Sequence, residues 1–241
     1  MDRTFLVLAT VTVGCLVVAG AAFGALFYTE RTAAETLSST LAFSITIRPD
    51  QTISNVTFLI PLPVDASGTS PVVKAAGARE IAGLPADWNT TLLGADGNTF
   101  LGISAGQIPA QGENATPYLL TMHTAAPRTA LATAAPEDHS PVIRPRTGNQ
   151  GMACPPGLDG IPRTCSVYVS HIYAEYEAVP GAQVSIRLEL IGTNTWQSLS
   201  SHTGSYRDVV SLTLQGPAHG WHDGVGLLAA GIGEEFPGSG R

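Results

Sequence analysis

From Phe5 to Tyr28 the chain reads FLVLATVTVGCLVVAGAAFGALFY, without one charged side chain. An α-helix rises about 1.5 Å per residue, so this run would extend about 36 Å, against roughly 30 Å for a bilayer's hydrocarbon core. Within lipid a single helix satisfies its own backbone hydrogen bonds, whereas a lone strand does not. The run therefore predicts an N-terminal transmembrane α-helix, inside an anchor over residues 1–30, with the lipid bilayer as its partner. Phe27 and Tyr28 fall at one interface, where aromatic rings favour the headgroup level. Arg3 and the amino terminus predict an N-terminus inside and the C-terminal bulk outside, a single-pass arrangement at the cell membrane. Asp2 and Arg31 make that charge bias small.

Other readings share the segment. Ala19-Gly20-Ala21 fits a small-x-small cleavage pattern, which would release a secreted protein cut near Ala21. The apolar run continues beyond it to Tyr28, longer than a signal peptide needs. Thr12-Val13-Gly14-Cys15 loosely resembles a lipidation box, but Leu16-Val17-Val18 stand where a polar linker would follow. Gly20 and Gly24, four residues apart, offer a small-residue face for a homodimer or an envelope protein partner.

Past the anchor, charged residues are scarce: 13% of the chain against a usual share of about 25%. Glycine (26) and proline (17) are frequent, and β-branched residues abound, which disfavours a helical bundle and favours an all-β body. The net charge of −7, with no Lys/Arg cluster, disfavours a phosphate-backbone partner, and no nucleic acid is expected. In Leu41–Ile47 apolar and small polar residues alternate, the period-2 pattern of a half-buried strand. Arg48-Pro49-Asp50-Gln51 turns, and Ile53–Ile60 returns as the second strand of an expected hairpin. Weaker strand signals follow at Pro71–Ala75, Asn98–Ser104 and Tyr118–His123. Strong ones lie in Val167–Ala178, at Val184, Ile186, Leu188 and Leu190, and at Val210, Leu212 and Leu214. Seven or eight short strands between frequent turns predict an antiparallel β-sandwich. The expected organisation is a stalk at 31–40, an exported β-sandwich domain at 41–230 and a flexible tail at 231–241. A Pro/Ala/Thr-rich insertion at about 124–164 reads as a surface loop or linker.

Cys154 and Cys165 bracket CPPGLDGIPRTC, a stretch suited to bending back on itself, and predict a disulfide outside the cytosol. Asn55, Asn89 and Asn114 each begin an Asn-x-Thr sequon and are candidate glycosylation sites in an exported chain. His219, His222 and Asp223, in AHGWHDG, carry ligand types that suit zinc or copper if a loop brings them together. Asp96-Gly97-Asn98 carries calcium-type oxygens but is first a turn signal.

Two motif matches fail on context. Gly102-Ile103-Ser104-Ala105-Gly106 matches the nucleophile elbow, yet Pro109 and Gly112 preclude the helix it requires, and no histidine has a supporting motif. Gly224-Val225-Gly226 imitates a dinucleotide fingerprint with too little chain left for a βαβ unit. No catalytic residue and no cofactor is therefore expected. Alternation places His171, Tyr173, Glu175 and Glu177 on one face and Tyr168, Ile172, Ala174 and Tyr176 on the other; the first set would suit binding. The expectation is a membrane-anchored extracytoplasmic β-domain, structural or binding at the cell surface rather than an enzyme. The alternatives are a metal-binding protein or enzyme using the C-terminal His/Asp cluster, and a subunit of a membrane or envelope assembly.

Overall fold

The computed structural model describes residues 3–73, 76, 80–95, 98–112, 115–127, 129–156 and 162–237, with side chains left aside at 3–13, 17, 25–27, 95, 126 and 127. Helix α1 (Arg3–Thr36) is followed by β1 (Ser38–Pro49), β2 (Ile53–Pro61), β3 (Pro63–Val64), β4 (Asn89–Ala95), β5 (Asn98–Ile108) and β6 (Tyr118–Pro127). Then come a one-turn helix, α2 (Pro136–His139), and β7 (Val142–Ile143), β8 (Thr147–Met152), β9 (Thr164–Glu177), β10 (Gln183–Gln197), β11 (Ser201–Gln215) and β12 (Ala218–Gly233). Residues Pro71–Val73, read as the start of a strand, begin a turn instead.

The body is antiparallel β, but not two stacked sheets. One ten-stranded sheet runs β4-β5-β2-β9-β12-β11-β10-β1-β6, with β8 also on β9, and curls into a half-barrel. Its concave face supplies one continuous core in which Phe43 and Ile45 of β1, Phe58 and Ile60 of β2, Ile172 of β9 and Leu188 of β10 are wholly buried. The alternation read from the sequence holds in these strands. The pairing expected between the first two does not. β1 pairs with β10 and β6, while β2 pairs with β5 and β9, so Asp50–Thr52 is an arch between different parts of the curled sheet, and Arg48 and Pro49 of the expected turn belong to β1. Alternation reports which face a residue occupies and is silent on which strand lies alongside.

Helix α1 continues to Thr36, and β1 starts at Ser38, so the stalk expected at 31–40 is the helix's last turn running directly into a strand. Burial explains the continuity: Ala33 and Leu37 pack on Trp196, and the Thr32 and Thr36 hydroxyls donate to the carbonyls of Tyr28 and Thr32, at 2.8 and 2.7 Å. Thr36 Oγ1 also accepts from Gln197 N–H at 2.9 Å, joining the helix end to β10. Among the described residues no helix is long and apolar enough to cross a membrane. Many side chains of the Phe5–Tyr28 run lie outside that description.

The stretch at 124–164 is not a surface linker. Its buried residues Leu131, Ala132, Thr133, Ser140, Val142 and Ile143 close over the core, held by polar groups from the sheet. Buried Asn194 accepts from Leu131 N–H at 3.0 Å and donates to Leu131 O at 2.7 Å, pairing with the connection as another strand would. Tyr206 Oη donates to Pro141 O at 2.5 Å. Fully buried Asp208 accepts from Ile143 N–H at 2.8 Å, from Tyr168 Oη at 2.5 Å and from the Arg146 guanidinium. Arg146 in turn lies 4.1 Å over the Tyr168 ring and donates to Glu137 at 2.9 Å. Burial pushes the Asp208 carboxyl up from its ordinary range, against the pull of Arg146, Tyr168 and the Ile143 amide. The Cys154–Cys165 disulfide, with Cα atoms 5.1 Å apart, pins the far end.

The Gly-rich end of the chain, which carries no strand signal, forms the long strand β12. Its glycines make room for aromatic rings. Gly226 lies opposite Tyr168, and Gly192 on β10 opposite Tyr206; a Cβ at either would overlap the facing ring. Gly226→Ala is expected to destabilise by about 1–3 kcal/mol, the usual cost of overpacking a core. Denaturant unfolding checks it, and a wild-type midpoint would refute the close fit.

Burial raises the phenols of Tyr168 and Tyr206 far above their ordinary range, and that of Tyr176 to about 12. A folded-state pKa above the unfolded value of about 10 gives stability that is intact below pH 10 and lost as pH climbs past it. Alkaline titration at 295 nm should show Tyr168 and Tyr206 ionising only as the sheet unfolds, and Tyr176 not before about pH 12. Smooth titration of all six tyrosines in a folded protein would contradict the burial.

Candidate functional site

The outward face of β9 and β12 carries three directly opposed pairs: His219–Glu175, Trp221–Tyr173 and Asp223–His171. Strand alternation produces this, because residues two apart share a face and antiparallel neighbours meet side by side. His171 Nδ1 lies 2.8 Å from Asp223 Oδ1, and His219 Nδ1 lies 3.4 Å from Glu175 Oε1. Tyr173 Oη donates to Glu175 Oε2 at 2.8 Å, which raises the Tyr173 phenol. Trp221 is 54% exposed. Its ring meets Tyr173 edge-on at 5.6 Å and Phe100 at 5.5 Å, while His219 lies 6.5 Å from Tyr173. Val225, also exposed, extends the strip. The outward positions of β9 from Val167 to Glu177 and of β12 from His219 to Leu227 contain no Lys or Arg. The face is aromatic at its centre and acidic around it.

The separation of β9 into a Tyr173/Glu175 face and a Tyr168/Tyr176 face was legible in the sequence; the partnership with β12 was not. That same strand divides the expected metal ligands. His219 and Asp223 point outward, but His222 takes the inward register, its Nε2 buried without a hydrogen-bond partner. The convergence of all three required a loop, and AHGWHDG is extended. Among the described residues no group of three His, Cys, Asp or Glu side chains is placed to hold a metal.

Asn55 is exposed at a bulge of β2, with φ of 53°, a conformation asparagine tolerates better than most residues. Asn89 is exposed at the start of β4, on the sheet's edge. Asn114 lies outside the described residues, as do Asp96 and Gly97 of the calcium-type turn, whose flanking Ala95 and Asn98 are paired. Ser104 sits mid-strand in β5, with no helix after it. Gly20 and Gly24 are exposed on α1, with open space where a side chain would stand.

A second constellation has no sequence motif. At the β10–β11 turn, Ser198 Oγ lies 2.8 Å and Ser200 Oγ 3.0 Å from His202 Nε2. His202 Nδ1 lies 2.5 Å from Glu234 Oε2, contributed from just beyond β12. Trp196 stacks on the imidazole at 5.5 Å with 16° between planes, and Phe236 meets Trp196 edge-on. Trp196, Ser198, His202 and Glu234 border a cleft of about 710 Å³ between α1 and the turn. The serines are close to His202 in sequence, a faint signal; Glu234 is 32 residues away, and only the β11–β12 pairing brings it in. Neither known protein families nor curated proteins nor solved structures contain a match to this chain.

Proposed function

We propose that this protein is a membrane-anchored, extracytoplasmic β-domain that binds a partner presenting basic groups through the outward face of β9 and β12. The observation that carries the binding reading is Trp221: a half-exposed indole held edge-on by Tyr173 and Phe100. Carboxylates beside an aromatic ring attract a cation in two ways, by charge and through the ring's quadrupole. Glu175 and Asp223 flank the indole; no Lys or Arg stands at either strand's outward positions, and the neighbours already on these carboxylates are the imidazoles of His219 and His171.

The anchor reading rests on the uncharged Phe5–Tyr28 run within a helix of 34 residues, and on a disulfide of the kind that persists outside the cytosol. Asn55 and Asn89 would accept glycans there, and cleavage near Ala21 would instead yield the same domain in secreted form. A second reading, assembly of α1 with itself or an envelope protein, is favoured by the open surface at Gly20 and Gly24.

A photo-crosslinking amino acid at Val225, on intact cells, tests the binding reading. The expected result is a discrete adduct that Glu175→Gln with Asp223→Asn reduces severalfold, and none from the same probe at Ser185 on β10. Equal capture from both positions would sink it. Protease added to intact cells should cut the β-domain while it remains with the membrane fraction; full protection would overturn the topology.

A further inference from the structure

The β10–β11 turn holds the parts of a nucleophile, its base and an acid that orients the base, beside an apolar cleft that the binding reading does not use. We propose that Ser198 is an activated nucleophile, with His202 as general base and Glu234 as positioning residue, and that the site cleaves uncharged carboxylic esters with an apolar acyl group.

The hydrogen-bond roles follow from what each group can do. A carboxylate only accepts, so at 2.5 Å from Glu234 Oε2 the Nδ1 of neutral His202 must carry the proton. That fixes the tautomer and leaves the Nε2 lone pair facing the two serine hydroxyls, 2.8 and 3.0 Å away. A serine hydroxyl is a weak nucleophile until such a base takes its proton. Trp196, 4% exposed and held against Ala33 and Leu37, stacks on the imidazole and limits its rotation. Of the two serines, Ser198 lines the cleft, and it is the one half-buried. Ala22 and Tyr28, which line the cleft, belong to the Phe5–Tyr28 run, so in the anchored protein the part outside the bilayer is walled by Ala33, Trp196, Leu199 and Pro237, with Glu30. Apolar walls fit an acyl chain, and Glu30 with Glu234 disfavours an anionic substrate.

The chemistry balances with water as the only co-reactant. Ser198 Oγ forms a bond to the ester carbonyl carbon while its proton passes to His202 Nε2. The carbon–alkoxide bond breaks, and the imidazolium, facing Glu234, returns that proton to the departing alcohol. Water then attacks the acyl-serine, losing a proton to Nε2; the acyl carbon–Oγ bond breaks, and the imidazolium returns that proton to Ser198 Oγ, releasing the acid.

The test is covalent labelling of the full-length protein with an alkyl fluorophosphonate, followed by intact mass and peptide mapping, alongside hydrolysis of p-nitrophenyl butyrate. The expected result is one phosphonyl adduct on Ser198, formed with loss of fluoride. Ser198→Ala abolishes it and Ser200→Ala retains it. His202→Gln slows labelling and turnover by about 10²-fold, the usual share of a general base. Glu234→Gln slows both by about tenfold at an unchanged melting temperature, and Glu234→Asp recovers part of the loss. No adduct, an adduct surviving Ser198→Ala, or labelling indifferent to His202→Gln would each overturn the proposal. Because none of these readouts involves membrane location or the β9/β12 face, failure here leaves the binding reading standing.

Discussion

Arg146→Met lowers the unfolding free energy by about 3–5 kcal/mol, the expected cost of leaving one member of a buried ion pair uncompensated. Asp208 is wholly buried and its carboxylate takes three donors, of which Arg146 supplies the only charge. For a chain of this length that loss corresponds to a fall in melting temperature of roughly 6–20 °C. Asp208→Leu should cost a comparable amount, because the buried Arg146 guanidinium then keeps only the part-exposed Glu137 as counter-ion. The double change Arg146→Met with Asp208→Leu should cost less than the two singles added. Recovery stays partial, since the Tyr168 hydroxyl and the Ile143 amide both lose their acceptor. Thermal unfolding of the four proteins decides it: additive losses would show that the pair is not coupled.

Replacing both Cys154 and Cys165 with serine is expected to cost roughly 3 kcal/mol, the loop-closure value for a ring of about this size. The two losses should differ in kind. Arg146 and Asp208 tie the connection to the centre of β11, so breaking them weakens the whole sheet. The disulfide joins the connection to the first residues of β9, so its loss should first raise amide exchange in β8 and the start of β9. Hydrogen exchange with and without reductant measures this. Protection in β8 that is indifferent to reduction would contradict the assignment.

Both predictions concern a segment whose sequence looks unstructured. AAPRTALATAAPEDHSPVIRPRTGNQ has no helix or strand period, because its internal contacts are irregular, as in Ala132 N–H to Ser140 and Arg146 to Glu137. It is ordered by Asn194, Tyr206 and Asp208, three polar residues at inward positions of β10 and β11. An inward Asp in a strand looks like an error of patterning until its partner is known. The glycines of β12 mislead in the same way. They weaken a strand read alone, but opposite Tyr168 a glycine is what the packing demands.

The candidate faces divide along the same line. Tyr173 and Glu175 are legible as one face of β9, because alternation is a property of consecutive residues. His219, Trp221 and Asp223 complete that face only through register with a strand more than 40 residues on. His222 was misplaced with them because a loop was assumed where the chain is extended. Ser198, His202 and Glu234 were not legible as a set at all.

By itself the sequence determined what nearest neighbours decide: an uncharged N-terminal run, an all-β body, the inward and outward residues of the strong strands, and a cysteine pair close enough to bond. The tertiary structure alone decided which strands are adjacent, that one sheet curls instead of two stacking, and which polar side chains meet. The reason is physical. Face preference follows from the two-residue repeat of an extended chain, whereas pairing depends on burying a shared core across long sequence separations, and that is a property of the whole chain at once.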